Sequence, residues 1–213
     1  MAVISWPTIK SLAAFRKSKY KQRRVLASLD LLNDPAFKVG ACTGLSLLWL
    51  KAYKKDPSAG SAKSRTKGLS LEGQMAMLKL CCQTFNANLA MFTNDETRMQ
   101  VVARAFLGQG DLGIRFSKAQ TANLAPHLDL DPSYGLCLMV LTGVPTNHIC
   151  AYVQDGTSLT FFDPNSGEYR VANSERNAFF QALHAQYETY VSAGGKKIAL
   201  TISQWILASV RVF

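Results

Sequence analysis

The chain has 213 residues, 48% of them hydrophobic, and a formal net charge of +10. That apolar content supports a substantial core and excludes wholesale disorder, and no run approaches the roughly 18 uninterrupted apolar residues of a membrane span. Five cysteines without framework spacing argue for reduced thiols, and three histidines without metal-ligand spacing argue against a zinc site, so no cofactor is expected.

The first residues lack the charged start and long apolar stretch of an export signal. With Ala2 after Met1 and no prenylation box at the last residues, neither direct N-myristoylation nor prenylation is expected. Residues 1–24 read as a basic N-terminal arm, and 25–213 as one domain with a helical half over about 25–132 and a sheet half over about 133–213. Positive charge gathers at 10–24 and again at 51–67. Such runs suit an anionic membrane surface or serve only as a solvated basic face. No nucleic-acid module accompanies them, so nucleic acid is not an expected partner. A monomer is expected.

A short helix is predicted over 25–32, closed by Asp30, Asn33, Asp34 and Pro35. The stretch Gly40-Ala41-Cys42-Thr43-Gly44 is where a loop gives way to a second helix. Leu45, Leu48, Trp49 and Ala52 recur at helical spacing and carry it to about Lys54. Residues 55–67, with few apolar side chains, are predicted as a mobile surface loop. Ser70 caps a helix to about Phe85, in which Cys81 and Cys82 are packing residues. Asn94 starts another, lined by Met99, Val102, Ala103 and Phe106 and ended at Gly108 and Gly110. A short strand follows over 112–116, then an irregular stretch over 120–132 in which His127 makes a loop contact.

Strand patterns dominate from Tyr134 onward. Residues 136–142 form a continuous apolar run suited to a buried strand. Strands are also predicted over 148–153, 159–162 and 169–171. A helix follows from Asn173 or Ser174 to about Ser192, with Phe180, Leu183 and Tyr187 on its face, stopped by Gly194-Gly195. A closing strand lies within 197–213. Helices first and a mostly antiparallel sheet afterwards is the α+β order.

Cys42 falls in or just before the first turn of its helix. Unpaired N–H groups and the positive end of the helix dipole favour an anion there, which makes thiolate formation easier. The alternative is a small cysteine packing beneath the helix. The second candidate feature is Asp155-Gly156 between two strand-like runs, a strong signal for a two-residue hairpin turn. That turn would set His148 directly opposite Asp163, with Cys150 opposite Phe161 on the same face. A carboxylate beside an imidazole orients the ring and stabilises its charged form, leaving the other nitrogen for a thiol's proton. The alternatives are a structural His–Asp pair and an aspartate that merely starts the turn at Pro164-Asn165-Ser166-Gly167.

The segment Gly40-x-Cys42-x-Gly44-Leu45-Ser46-x-x-Trp49-Leu50, a downstream His148, and Asp163-Pro164-Asn165-x-Gly167 resemble the YopT/AvrPphB family of papain-like cysteine peptidases, effectors of bacterial type III secretion. The resemblance runs from Gly40 to Arg170. It implies a papain-like fold, a helical part packed on an antiparallel sheet. It also implies a nucleophile at Cys42, a general base and acid at His148, and an orienting carboxylate at Asp163. The implied reaction is hydrolysis of a host protein through a thioester, in the host cytoplasm after secretion. Transglutamination, deamidation, acyl transfer or a catalytically weak binding role remain open on the same scaffold. Papain-like enzymes usually place a polar oxyanion donor a few residues before the cysteine. Here Ala36 and Phe37 stand there and cannot donate, leaving Lys38 and Asn33 as nearby polar groups. Prenylated tails, which some members cleave, are often flanked by basic residues that would repel a chain of charge +10, so that substrate is not expected.

Overall fold

A computed structural model describes residues 12–31, 34, 37, 41–70, 74–91, 97, 101, 102, 104, 105, 114–142, 147–188 and 200–211. In chain order the elements are strand β1 (Arg16–Lys19), helices α1 (Gln22–Ser28), α2 (Ala41–Lys55), α3 (Ala62–Gly68) and α4 (Met75–Met91), strands β2 (Ile114–Ala119), β3 (Ser133–Thr142), β4 (His148–Gln154), β5 (Ser158–Asp163) and β6 (Gly167–Ala172), helix α5 (Arg176–Glu188) and strand β7 (Thr201–Arg211). The seven strands form one sheet in the order β1-β6-β5-β4-β3-β7-β2, with every neighbouring pair antiparallel. This is the α+β arrangement expected.

The sheet is covered on both faces, which explains why β3, β4 and β5 are buried along almost their whole length and why β3 and the middle of β4 read as apolar runs. On one face α2 packs across β3, β4 and β5, burying Leu45, Trp49, Leu136, Ile149 and Phe162 in one core. On the other, α5 buries Phe179, Phe180 and Leu183 against Cys137, Cys150, Phe161 and Trp205 in a second. Helix α2 is buried almost all round from Ala41 to Leu50, a broader apolar surface than the single stripe predicted, because it lies between the sheet and α4. Lys54 and Lys55 in its last turn suit the negative end of the dipole.

Three local expectations change. Arg16–Lys19, read as part of a basic arm, is an edge strand paired with β6; lysines on an edge strand discourage further pairing. Within the stretch predicted as a mobile loop, 62–68 is helix α3. Its anchor is Arg65, whose guanidinium is buried against Glu168 of β6 and donates to the carbonyls of Asp56 at 2.6 Å and Ser58 at 2.7 Å. The strand predicted over 112–116 is β2, at Ile114–Ala119. His127 is exposed in a single 3₁₀ turn, and Cys81 and Cys82 are packed in the first core. The helix predicted from Asn94 lies largely outside the described residues, as do its stop at Gly108 and Gly110 and the Gly194-Gly195 stop.

Gly44 marks where α2 and α4 touch. A Cβ there would fall 2.5 Å from Leu78 Cδ1 and 3.3 Å from Cys81 Cβ. Gly44→Ala is expected to destabilise the fold by about 1–3 kcal/mol through overpacking, read as a lower denaturant midpoint at unchanged slope.

Candidate active site

Cys42 is the second residue of α2. One turn on, Ser46 donates its hydroxyl to the Ile149 carbonyl at 3.1 Å, fixing the helix start against β4 beside His148. His148 opens β4 and Asp163 closes β5. The Cys42 thiol lies beside the His148 imidazole and the Ile149 backbone N–H, both near enough to act on its charge. His148 Nε2 lies 2.8 Å from Asp163 Oδ1. With Nε2 engaged there, Nδ1 is the ring nitrogen left for the sulfur. The three residues singled out in the sequence therefore meet at one end of the sheet.

The hairpin that brings His148 and Asp163 together is displaced from its predicted position. Its reversal is made by Gly156 and Thr157, with Asp155 N–H bonded to Ser158 O at 3.1 Å. Gly156 carries φ of 89°, as the first central residue of a II′ turn does. Moving a two-residue turn by one position changes each partner by two. Gln154 thus pairs with Leu159 and Tyr152 with Phe161, and the register carries Cys150, not His148, opposite Asp163. A shift of two leaves every side chain on its original face, so His148 and Asp163 meet diagonally, within reach of a long side chain.

Asp163 is fully buried. Burial opposes its charge, but hydrogen bonds outweigh that and hold its carboxyl below the usual range. Oδ1 accepts from His148 and, at 2.8 Å, from the Asn165 backbone N–H. Oδ2 accepts from the Ser166 hydroxyl and, at 3.1 Å, from the Tyr187 hydroxyl. Burial likewise opposes charge on His148, yet its bonds to Asp163 and Cys42 raise its pKa to about 10. Burial would raise the Cys42 thiol, but the imidazole pulls it below the usual thiol value. Both shifts run toward the thiolate and imidazolium forms of the pair.

Cys150 Sγ lies close to both His148 and Asp163, and donor atoms of the three residues fall within 4.8 Å of one another. They are not arranged for a metal: the imidazole and carboxylate bond each other, and burial first, with Cys137 and Asp163 beside it, pushes the Cys150 thiol well above its usual pKa. For the same reason Cys150 is no rival nucleophile. Cys42 is the one part-exposed cysteine among the five, and the other four are buried. Brief iodoacetamide treatment of the native protein is expected to modify one thiol, at Cys42, with the others reacting only after denaturation; peptide mapping checks this.

Two parts of the site went unseen in the sequence. The sequence pattern places Tyr187 only on the apolar face of α5, and nothing in its spacing marks a hydroxyl aimed at a carboxylate. Gly167 belongs to the motif after Asp163, but its reason lies in β1: at φ 129° its Cβ would sit 2.0 Å from Ser18 O. Phe37 is buried, as an apolar side chain at the expected oxyanion position would be, while Asn33, Ala36 and Lys38 lie outside the described residues.

A thiol, an imidazole and a carboxylate in this order are what a cysteine peptidase requires. The family model for peptidase C58, described as Yersinia/Haemophilus virulence surface antigen, matches residues 10–198, and the chain belongs to that family of virulence-associated cysteine peptidases. The crystal structure of the Pseudomonas avirulence protein AvrPphB aligns with a TM-score of 0.65 over 94% of this chain and 100% of that chain, at 19% identity. That likeness carries the papain-like fold, and it extends the resemblance read from Gly40 to Arg170 over nearly the whole chain. A search of curated proteins finds no match. Among the described residues no helix is long and apolar enough to cross a membrane.

Proposed function

We propose that this chain is an endopeptidase of the host cytoplasm, delivered there as a bacterial effector, and that Cys42, His148 and Asp163 perform its chemistry. The observation that supports it best is the relay of contacts, from the part-exposed Cys42 sulfur to the His148 ring and from Nε2 at 2.8 Å to a buried carboxylate. The Cys42 thiolate attacks the scissile carbonyl carbon, and the carbonyl oxygen becomes an oxyanion. His148 then gives its proton to the departing amine as the C–N bond breaks, leaving a thioester. Water attacks the thioester while His148 takes its proton, and the carboxylic acid product leaves as the C–S bond breaks. Asp163 holds the ring in place and stabilises its positive charge throughout.

The Cys42 backbone N–H, in the first turn of a helix where donors lack a partner within the helix, is the donor this reading assigns to the oxyanion. A missing second donor typically costs about 10²–10³ in rate, leaving a measurable enzyme. The test is N-terminal proteomics of host extract treated with wild type or with Cys42→Ala. New peptide termini that require Cys42 support the reading. Cys42-dependent glutamine deamidation or cross-links without new termini would replace hydrolysis by another acyl transfer, and no Cys42-dependent product of any kind would sink both.

A further inference from the structure

We propose that the cleft between β1, α1 and α3 is a binding site for a compact polyphosphate: several phosphate groups clustered on a small ring, as in an inositol polyphosphate or a phosphoinositide headgroup. The cleft has a volume of about 680 Å³, within the range of small-ligand sites. Lys17, Lys19, Lys21 and Arg24 line one wall, Lys63 and Lys67 the other, and among the described residues no carboxylate lines it. All six of these side chains are exposed, and among the described residues none is engaged in a salt bridge. Lys63 and Lys67 stand one turn apart on the same helix face, where like charges repel. The fold therefore holds uncompensated cations facing one another across a concavity.

Two unpartnered donors point to a ligand as well. Ser18, 5% exposed, lines the cleft with a buried hydroxyl that has no hydrogen-bond partner. Arg16 lines it too, with a buried Nε–H equally unpaired. Buried polar groups normally find partners. Phosphate suits this set, since each group brings about −1.5 to −2 charge and three acceptor oxygens, and Lys and Arg bind it with charge-assisted bonds. A single-stranded nucleic acid would call for a longer basic track with stacking aromatics; among the described residues that line the cleft the one aromatic, Tyr20, is buried. Cys42, His148 and Asp163 do not line the cleft, so the site stands whether or not they are catalytic.

The test is calorimetric titration of the full chain with inositol hexakisphosphate, alongside co-sedimentation with vesicles containing phosphatidylinositol 4,5-bisphosphate or, at matched surface charge, phosphatidylserine. The comparison variant carries Lys19→Ala, Lys21→Ala, Lys63→Ala and Lys67→Ala, all exposed positions, and Ser18→Ala tests the orphaned hydroxyl separately. One saturable site is expected in wild type, with affinity falling at least about tenfold in the fourfold variant and the melting temperature rising with ligand in wild type only. Saturable hexakisphosphate binding without vesicle preference supports the site with a soluble ligand. Preference for the bisphosphate vesicles supports it with a lipid headgroup. Equal binding by wild type and the fourfold variant, or vesicle binding that follows surface charge alone with no saturable hexakisphosphate site, overturns it.

Discussion

His148→Ala is expected to lower peptide hydrolysis by about 10⁴-fold near neutral pH and to slow alkylation of Cys42, because the thiol loses the partner that pulls its pKa down. Wild-type activity should rise with pH as the Cys42 thiol ionises and fall as the imidazolium is lost near pH 10. The sign of the descending limb follows from its cause: Asp163 raises the His148 pKa, so removing its charge must move that limb to lower pH. Asp163→Asn isolates the charge. Asn165 N–H is a backbone donor fixed on Oδ1, whereas the Ser166 and Tyr187 hydroxyls on Oδ2 can rotate to accept. The new amide would therefore keep its carbonyl toward His148 and present its NH₂ to the hydroxyls. The ring keeps its tautomer and loses only the anion. About 10–10²-fold of rate at pH 8 should be lost, well short of the ~10⁴ seen where the same exchange forces the wrong tautomer. Asp163→Ala removes the acceptor altogether and should cost more in rate, together with about 1–3 kcal/mol of stability from the donors left unsatisfied. A pH–rate profile decides it. A descending limb unmoved in Asp163→Asn would mean that the carboxylate does not hold the proton on His148.

The site was legible because its errors were of a kind that preserves faces. Asp155-Gly156 does signal a reversal, but aspartate can occupy a corner of the turn rather than its centre. Here its carboxylate accepts from the Thr157 and Ser158 N–H groups and from both their hydroxyls, which places Asp155 before the turn and Gly156 inside it. The displacement moved every partner by two and flipped none. Helix α2 was legible from its period and from a glycine-flanked cysteine, β3 and β4 from apolar runs that burial on two faces demands, and β5 from its place after the turn at Gly156. The failures are non-local. Helix α3 has little apolar pattern because its stability comes from Arg65 reaching Glu168, on the far side of the sequence. Strand β1 looks like a solvated arm because an edge strand is served by charge, and its partner strand begins well over a hundred residues later. Tyr187 reaches Asp163 across a sheet face whose composition is otherwise apolar.

The largest loss of stability from one side chain is expected at Glu168, which is buried with its partners. Its Oε2 accepts from Trp49 Nε1 at 2.8 Å and from Arg65 Nε at 3.1 Å, and its Oε1 bonds Arg65 Nη2. One carboxylate thus joins α2, α3 and β6. Glu168→Ala leaves a guanidinium without its counter-charge in the interior and an indole N–H without an acceptor, which should cost about 3–5 kcal/mol. For a chain of this size that lowers the melting temperature by on the order of 10 °C. Glu168→Gln keeps one acceptor and the shape but not the charge, and should fall between. The ion pair itself contributes less than these losses suggest, because both groups gave up hydration to form it. The double exchange Arg65→Leu with Glu168→Leu should therefore recover much of what Glu168→Ala loses, short of the full value because Trp49 Nε1 and the Asp56 and Ser58 carbonyls would lose their partners. Thermal unfolding of the four proteins at equal concentration checks the order. If Glu168→Ala melts with wild type, the buried carboxylate is not what secures α3, and the segment the sequence suggested was a loop would have to be held by the bonds of Arg65 to the Asp56 and Ser58 carbonyls and the small apolar contacts of Ala62 and Leu69.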